Sequence, residues 1–379
     1  MTTETILSNA RIVLEDSVLT GSIQIRDGVI TDISAGASAA GEDMQGDHLI
    51  PGLVELHTDH LESHYAPRPK VRWNADASVQ AHDGQVASSG ITTVFDALRI
   101  GTDTDGDINF DDMTVLAASI ARLNATGRLR ADHLIHLRCE VSSPNCASDF
   151  SRFEDLGLVR LVSLMDHAPG QRQFASLEAY SVYYQGKLKM SDEVFARFCT
   201  TRMAESEANS DTNRRMVARL CREHGIVLAS HDDATLEHVR EAEELGTGVA
   251  EFPTTLEAAE ASHSAGMAVL MGAPNVIRGS SHSGNVSARE LAAAGCLDIL
   301  SSDYIPFSLV QAAFFLGDAV EGISLPDAVN MVARNPARAA GLDDRGILAT
   351  GKRADIVRIC AEAPVPVVRS VYRQGRRVA

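Results

Sequence analysis

The chain has 379 residues, 45% hydrophobic and 22% charged, which excludes a disordered chain and exceeds one small domain. Its formal net charge is −17. That balance excludes a general nucleic-acid or anionic-membrane binder, and an anionic substrate would need a local basic cluster set against the global field.

From Ile6 to Ile33 the sequence reads as short strands, ILSNARIVL and then SIQIRDGVITDIS, with Asp27-Gly28 as a hairpin turn. A small-residue linker, AGASAAGEDMQGD, covers 35–47. From His48 strands alternate with helical stretches, the mark of a parallel α/β architecture. The barrel strands are read as LIPGLVELH, ITTVFDAL, HLIHLRCE, VRLVSLMDH, GIVLASH, GVAEFP, AVLMGAP and DILSSD. A helical run follows Asp303 through Ala340, with Pro326 near a helix start, and the tail returns to strands in ADIVRIC and VPVVRSVYRQGRRVA. The fold class is therefore α/β: a (β/α)8 TIM-like barrel, 48–344, with a small β-sandwich domain formed by both chain termini, 1–47 plus 345–379.

Six cysteines, Cys139, Cys146, Cys199, Cys221, Cys296 and Cys360, form no C-x-x-C pair, and most of them read as reduced, buried small residues. The opening residues lack a basic-then-apolar signal pattern, and no apolar run approaches ~18 residues. The expectation is a soluble, cytoplasmic protein with no membrane partner.

Chemistry concentrates where barrel strands end, the face on which barrel enzymes work. The first strand ends in His57-Thr58-Asp59-His60, and residues two apart on an extended segment face the same way, so His57 and Asp59 can share a cation. Later strands end in Glu140, His167, His231 and Asp303. N and O donors converging on one mouth suit one or two divalent ions, Zn²⁺ first and Mn²⁺ as the alternative, which lower the pKa of bound water to ~7. A lone histidine at a strand end is more often structural; this many on successive strands is not coincidence. His60 stays open as a ligand in place of Asp59, a supporting partner or a substrate contact. His64, His82 and Asp83 are either supporting residues or ordinary structural ones. His136, His224, His238 and His263 are assigned structural roles.

A second pattern is basic. Pro67-Arg68-Pro69-Lys70-Val71-Arg72 places three cations at alternate positions, and its prolines favour an extended backbone with all three on one side. Arg138 shares the face of Glu140, while Arg172, Lys187, Lys189 and Arg278 fall in loops on the same rim. Such a set would clamp a polyphosphate or sugar phosphate, and the competing reading is a solvated charged face. The segment 272–285, rich in Gly, Ser and Asn, can approach a ligand closely or be a plain flexible loop.

Several stretches carry a family resemblance across essentially the whole chain. Ile50-Pro51-Gly52-Leu53-Val54-Glu55-Leu56-His57, Gly90-Ile91-Thr92-Thr93-Val94, Asn335-Pro336-Ala337-Arg338 and the run Gly346 to Val357 resemble the amidohydrolase superfamily. HTDHLE, APRPKVRW, AHDGQVASSGITTVFDAL, HLRCEV, SLMDHAPGQRQF, ASHDDAT and APNVIRGSSHSGN are similar to its phosphonate-metabolism branch. The resemblance implies a diphosphatase that converts α-D-ribose 1-methylphosphonate 5-triphosphate to the 5-phosphate and pyrophosphate within the carbon–phosphorus lyase pathway. Two departures stand out. The usual His-x-His is His-x-Asp here, with Glu140 in place of the bridging lysine. His167 and His231 fall on strands four and five, where the superfamily more often uses five and six.

On this reading His57, Asp59, His167 and His231 hold the metals and Glu140 bridges them. Asp303 takes the proton of the attacking water, and Arg68, Lys70, Arg72, Arg138 and Arg278 offset charge on the leaving pyrophosphate. A cyclic-amide or N-acyl hydrolase is the first alternative, and a catalytically silent scaffold the second. A homodimer is the default assembly for a soluble enzyme.

Overall fold

Two eight-stranded sheets organise the described residues. The computed structural model describes residues 4–101, 108–153, 156–172, 180–181, 190–280, 284–363 and 365–379. One sheet joins both ends of the chain. Its strands are β1 (Glu4–Val13), β2 (Val18–Arg26), β3 (Val29–Ala35), β4 (Glu42–Asp43), β5 (His48–Pro51), β14 (Ile356–Cys360), β15 (Val367–Arg373) and β16 (Arg376–Arg377). β5 is the seam: it runs parallel to β1 and antiparallel to β14. The β2–β3 hairpin turns at Asp27 and Gly28, both at positive φ, as a tight hairpin requires.

The other sheet is a parallel barrel of β6 (Leu53–Thr58), β7 (Ile91–Ile100), β8 (Asp132–Glu140), β9 (Val159–Met165), β10 (Val227–His231), β11 (Val249–Glu251), β12 (Ala268–Gly272) and β13 (Ile299–Ser301). Neighbours in sequence are neighbours in space, and a bridge between Thr58 and Asp303 links the last strand to the first. Helices such as Ala75–Ser88, Phe110–Ala125 and Asp192–His224 form the crossovers that parallel strands need. Among the described residues, no helix is long and apolar enough to cross a membrane.

All eight stretches read as barrel strands contain strands, with one difference at the first. LIPGLVELH is two strands, β5 in the terminal sheet and β6 in the barrel, parted at Gly52. A Cβ there would lie 2.2 Å from Thr92 Oγ1, so only glycine lets the chain pass between the sheets.

Side-chain alternation then positions the mouth. Val54, Phe95, Leu161, Ala229, Val249, Leu270 and Ile299 pack as one layer, with Leu134 against it. Two-residue steps upward from this layer reach His231 from Ala229, Glu251 from Val249 and Asp303 from Ile299 through Ser301. The same steps reach Glu140 from Leu134 through His136 and Arg138, and His167 from Leu161. Glu55 fastens first strand to last: its Oε1 accepts from the His57 amide at 2.7 Å and from Ser301 Oγ at 2.8 Å.

Candidate metal centre at the barrel mouth

Two histidines share one carboxylate at the centre of the mouth. Glu251 Oε1 lies 3.2 Å from His57 Nδ1, and Oε2 lies 3.1 Å from His231 Nδ1. A carboxylate accepts, so both Nδ1 atoms carry the protons and both Nε2 atoms keep their lone pairs. Phe252 stands edge-on to both rings, at 5.1 and 5.3 Å between centroids, and limits their rotation. Burial brings His57 and His231 down to about 3, so both are neutral, ligand-competent imidazoles near pH 7.

His167 is held in the same way by another carboxylate. Its Nδ1 lies 2.7 Å from Glu140 Oε2, and its amide donates to Glu140 Oε1 at 3.2 Å. Burial disfavours charge on His167, but Glu140 more than offsets this and raises its pKa. Burial likewise opposes charge on Glu140, yet His167, Arg202 and Ser142 hold it at about 2.

Asp232 faces the far sides of these rings. Its Oδ2 is 3.5 Å from His231 Nε2 and 3.9 Å from His167 Nε2. Those gaps are too long for good hydrogen bonds, but they approach the ~3.4 Å between donors that each sit ~2.1 Å from one tetrahedral ion. Asp232, Phe252 and Asp303 all take positive φ just beyond their strands, at 57°, 53° and 54°. Such backbone is uncommon for non-glycine residues, and here it turns three side chains at the mouth.

Negative charge is in surplus. Burial, with Asp233 nearby, pushes Asp232 up to about 6 against the pull of His167 and Arg138. Burial and then the Asp59 carboxylate push Asp303 up to about 7, again against Arg138. Arg138 Nη1 lies 3.4 Å from Asp59 Oδ2, and among the described residues its buried Nε has no hydrogen-bond partner. Oriented imidazoles with open Nε2 atoms, beside carboxylates that lack enough positive charge, fit one or two divalent cations.

The matching family description, Amidohydrolase family, covers residues 86–379. The chain belongs to the amidohydrolase family. It is 46% identical to the α-D-ribose 1-methylphosphonate 5-triphosphate diphosphatase of Escherichia coli K12, over 98% of this chain and 100% of that one. Among solved structures, 5-methylcytosine deaminase from Klebsiella pneumoniae aligns with TM-score 0.66 at 16% identity, covering 99% of this chain and 98% of its own. A variant N-acetyl-D-glucosamine-6-phosphate deacetylase from Mycobacterium smegmatis aligns with TM-score 0.66 at 18% identity over the full length of both. These two show the amidohydrolase fold.

Against the sequence reading, the structure brings His57, Glu140, His167, His231, Asp59, Arg138 and Asp303 to one mouth. It adds Glu251 and Asp232, which were missed, although Glu251 ends strand six and Asp232 follows His231 directly. His60 instead meets Gln85, with Nε2 2.9 Å from Oε1, and His64 Nε2 meets the same oxygen at 3.1 Å. His82 and Asp83 join a buried network behind β7: His82 Nε2 to Asp96 at 2.8 Å, Asp96 to His133 at 2.7 Å, and Asp83 to Arg130 at 3.0 Å. His136 has both ring nitrogens occupied, by Leu56 O at 3.1 Å and Ser163 Oγ at 2.9 Å.

The basic stretch is not extended. Val71 N donates to Arg68 O at 3.0 Å and Lys70 takes φ 62°, so 68–71 is a turn and the three cations do not alternate on one side. Arg72 pairs with Asp112 at 2.9 Å, while Arg68 and Lys70 are exposed. Arg172 is buried in ion pairs with Asp233 and Glu241 rather than open on the rim. The segment after strand seven begins as a helix, Ala273–Arg278, on which Arg278 is exposed. Lys187, Lys189 and the stretch 281–283 lie outside the described residues.

Proposed function

We propose that the protein hydrolyses the triphosphate of α-D-ribose 1-methylphosphonate 5-triphosphate, giving the 5-phosphate and pyrophosphate in phosphonate catabolism. The observation that carries this reading is the 46% identity, over nearly the whole of both chains, to the Escherichia coli diphosphatase. In it 48–344 is the hydrolase domain, whose first four residues, β5, lend a strand to the composite supporting domain of 1–47 with 345–379.

His57, Asp59, Glu140, His167 and His231, with Asp232 beside them, would hold one or two divalent cations, Zn²⁺ or Mn²⁺. When bound, such a cation lowers the pKa of water at the site and withdraws charge from the phosphorus under attack. Glu251 fixes the protons of His57 and His231 on Nδ1. Asp303 accepts the proton of the attacking water through its carboxylate. Arg138 opposes charge on the phosphates from inside the mouth, and Arg68, Lys70, Arg72 and Arg278 are assigned to the pyrophosphate end.

The test is phosphorus NMR of the metal-loaded enzyme with this triphosphate in ¹⁸O-enriched water. Pyrophosphate and the 5-monophosphate are the expected products, and the label marks the phosphorus attacked. An unchanged spectrum at full metal loading overturns the diphosphatase reading and redirects the search to cyclic-amide and N-acyl substrates.

A further inference from the structure

A cleft of ≈ 790 Å³ opens away from the metal centre, where the loop before β8 meets the β15–β16 hairpin. Five arginines line it, Arg128, Arg130, Arg373, Arg376 and Arg377, and its other lining residues are all uncharged. In a chain of net charge −17, this concentration of cations is local and one-signed.

Two of the five are anchored from beneath, Arg130 to Asp83 at 3.0 Å and Arg373 to Asp132 at 2.8 Å. Among the described residues, Arg128 and Arg376 have no carboxylate within ion-pair distance. Arg377 Nε donates to Ala379 O at 3.4 Å, an oxygen of the last residue's carboxylate. The strand register adds an independent sign. Arg373 pairs directly across the hairpin with Arg376, a like-charge placement that Asp132 offsets for Arg373 and that no carboxylate among the described residues offsets for Arg376. The hairpin is firmly seated: its turn residues Gln374 and Gly375 have φ 50° and 69°, and Gln374 N donates to Asp355 at 2.8 Å.

We propose that this cleft is a second anion site, distinct from the metal centre, for a small molecule carrying two or more linked phosphates. A polyphosphate packs several charges into a span that a concave arginine cluster can surround, and each guanidinium can present two parallel donors to a phosphate. The volume falls within the range of small-molecule sites, ~300–1,000 Å³. The site's standing does not depend on the proposed reaction, because none of its residues belongs to the mouth.

The experiment is calorimetric titration of the full-length, metal-loaded protein with inorganic pyrophosphate, beside the triple variant Arg128→Ala/Arg376→Ala/Arg377→Ala. The expected result is a binding component in the parent chain that weakens at least ~tenfold in the triple variant, with turnover at the mouth unchanged. The corresponding triple lysine variant should keep most of the binding, and raised salt should weaken it. If the triple variant does not fold, Arg376→Ala alone carries the comparison. Identical isotherms for parent and variant overturn the proposal. So does a cleft-dependent response to a polyglutamate peptide with none to pyrophosphate, which would make the cleft a protein-docking surface.

Discussion

Replacing Glu251 by glutamine separates the placing of two histidines from the placing of their protons. Glu251 is 1% exposed, and its two oxygens face His57 Nδ1 and His231 Nδ1 at 3.2 and 3.1 Å. A carboxylate accepts from both. Glutamine, nearly the same size, offers one accepting oxygen and one NH₂ donor. The ring that meets the NH₂ must present a lone pair on Nδ1, which moves its proton to Nε2, where it can no longer bind a cation. The alternative, two donors face to face in a dry site, is itself costly. Partners that orient metal-binding histidines are worth ~10–100-fold in metal affinity, and a misdirected ring places this substitution near the upper end. We therefore expect the Kd for Zn²⁺ to rise about 100-fold, close to 3 kcal/mol. Competition titration against a chromophoric chelator reads this directly, with turnover followed at saturating metal. Parent-like affinity and turnover in Glu251→Gln would refute the claim that Glu251 sets the tautomers.

Asp303→Asn should lower kcat by ~10²–10⁴-fold while metal content stays at the parent level; intact turnover removes Asp303 from proton transfer. Dialysis against a strong chelator should abolish turnover and lower the Tm, with both restored by Zn²⁺ or Mn²⁺; full activity in demonstrably metal-free protein would sink the metal reading. The buried network behind β7 predicts a pH-dependent stability. Burial opposes charge on His133, but Asp96 and Asp83 more than offset it and lift the pKa from 6.5 to about 9. That contribution, about 3 kcal/mol, is complete below pH 6.5 and is lost as pH rises through about 9. Burial also opposes charge on Asp96, which His133 and His82 nevertheless hold at about 2, so its share stands above pH 3.8 and is lost as pH falls through about 2. In thermal unfolding, the Tm difference between the parent and His133→Gln should shrink on the alkaline side; a constant difference excludes a buried imidazolium.

The barrel could be read from the sequence because its strands are short apolar runs closed by turn signals, and their last inward residue is fixed by two-residue alternation. The split of the first strand could not be read, because it depends on Thr92, a residue of the next strand that would touch any side chain at position 52. The basic stretch misled for a similar reason. Pro67 and Pro69 constrain their own φ, but the turn closes through Lys70, and Arg72 is drawn to Asp112, 40 positions away. Glu251 was counted within a strand yet passed over, since its importance comes from His57, 194 positions earlier, and His231, 20 positions earlier. His82 and Asp83 sit close to the metal motif in sequence, but the helix that carries them faces the outer side of β7.

The charge balance of the mouth connects metal binding to substrate binding. Arg138 rises from the same strand face as Glu140, and Asp59 and Asp303 draw on its charge. At 3.4 Å, with Asp59 35% exposed, the Arg138–Asp59 contact is a loose one that a divalent cation can outcompete. Any cation taken up by Asp59, Asp232 and the three imidazoles supplies the positive charge these carboxylates now take partly from Arg138. The guanidinium is then left without its counter-charge in a largely buried place, with an Nε unpartnered among the described residues, and a phosphate oxygen satisfies both deficits. Metal and anionic substrate should therefore bind with positive coupling, and removing Arg138 should weaken the substrate much more than the metal.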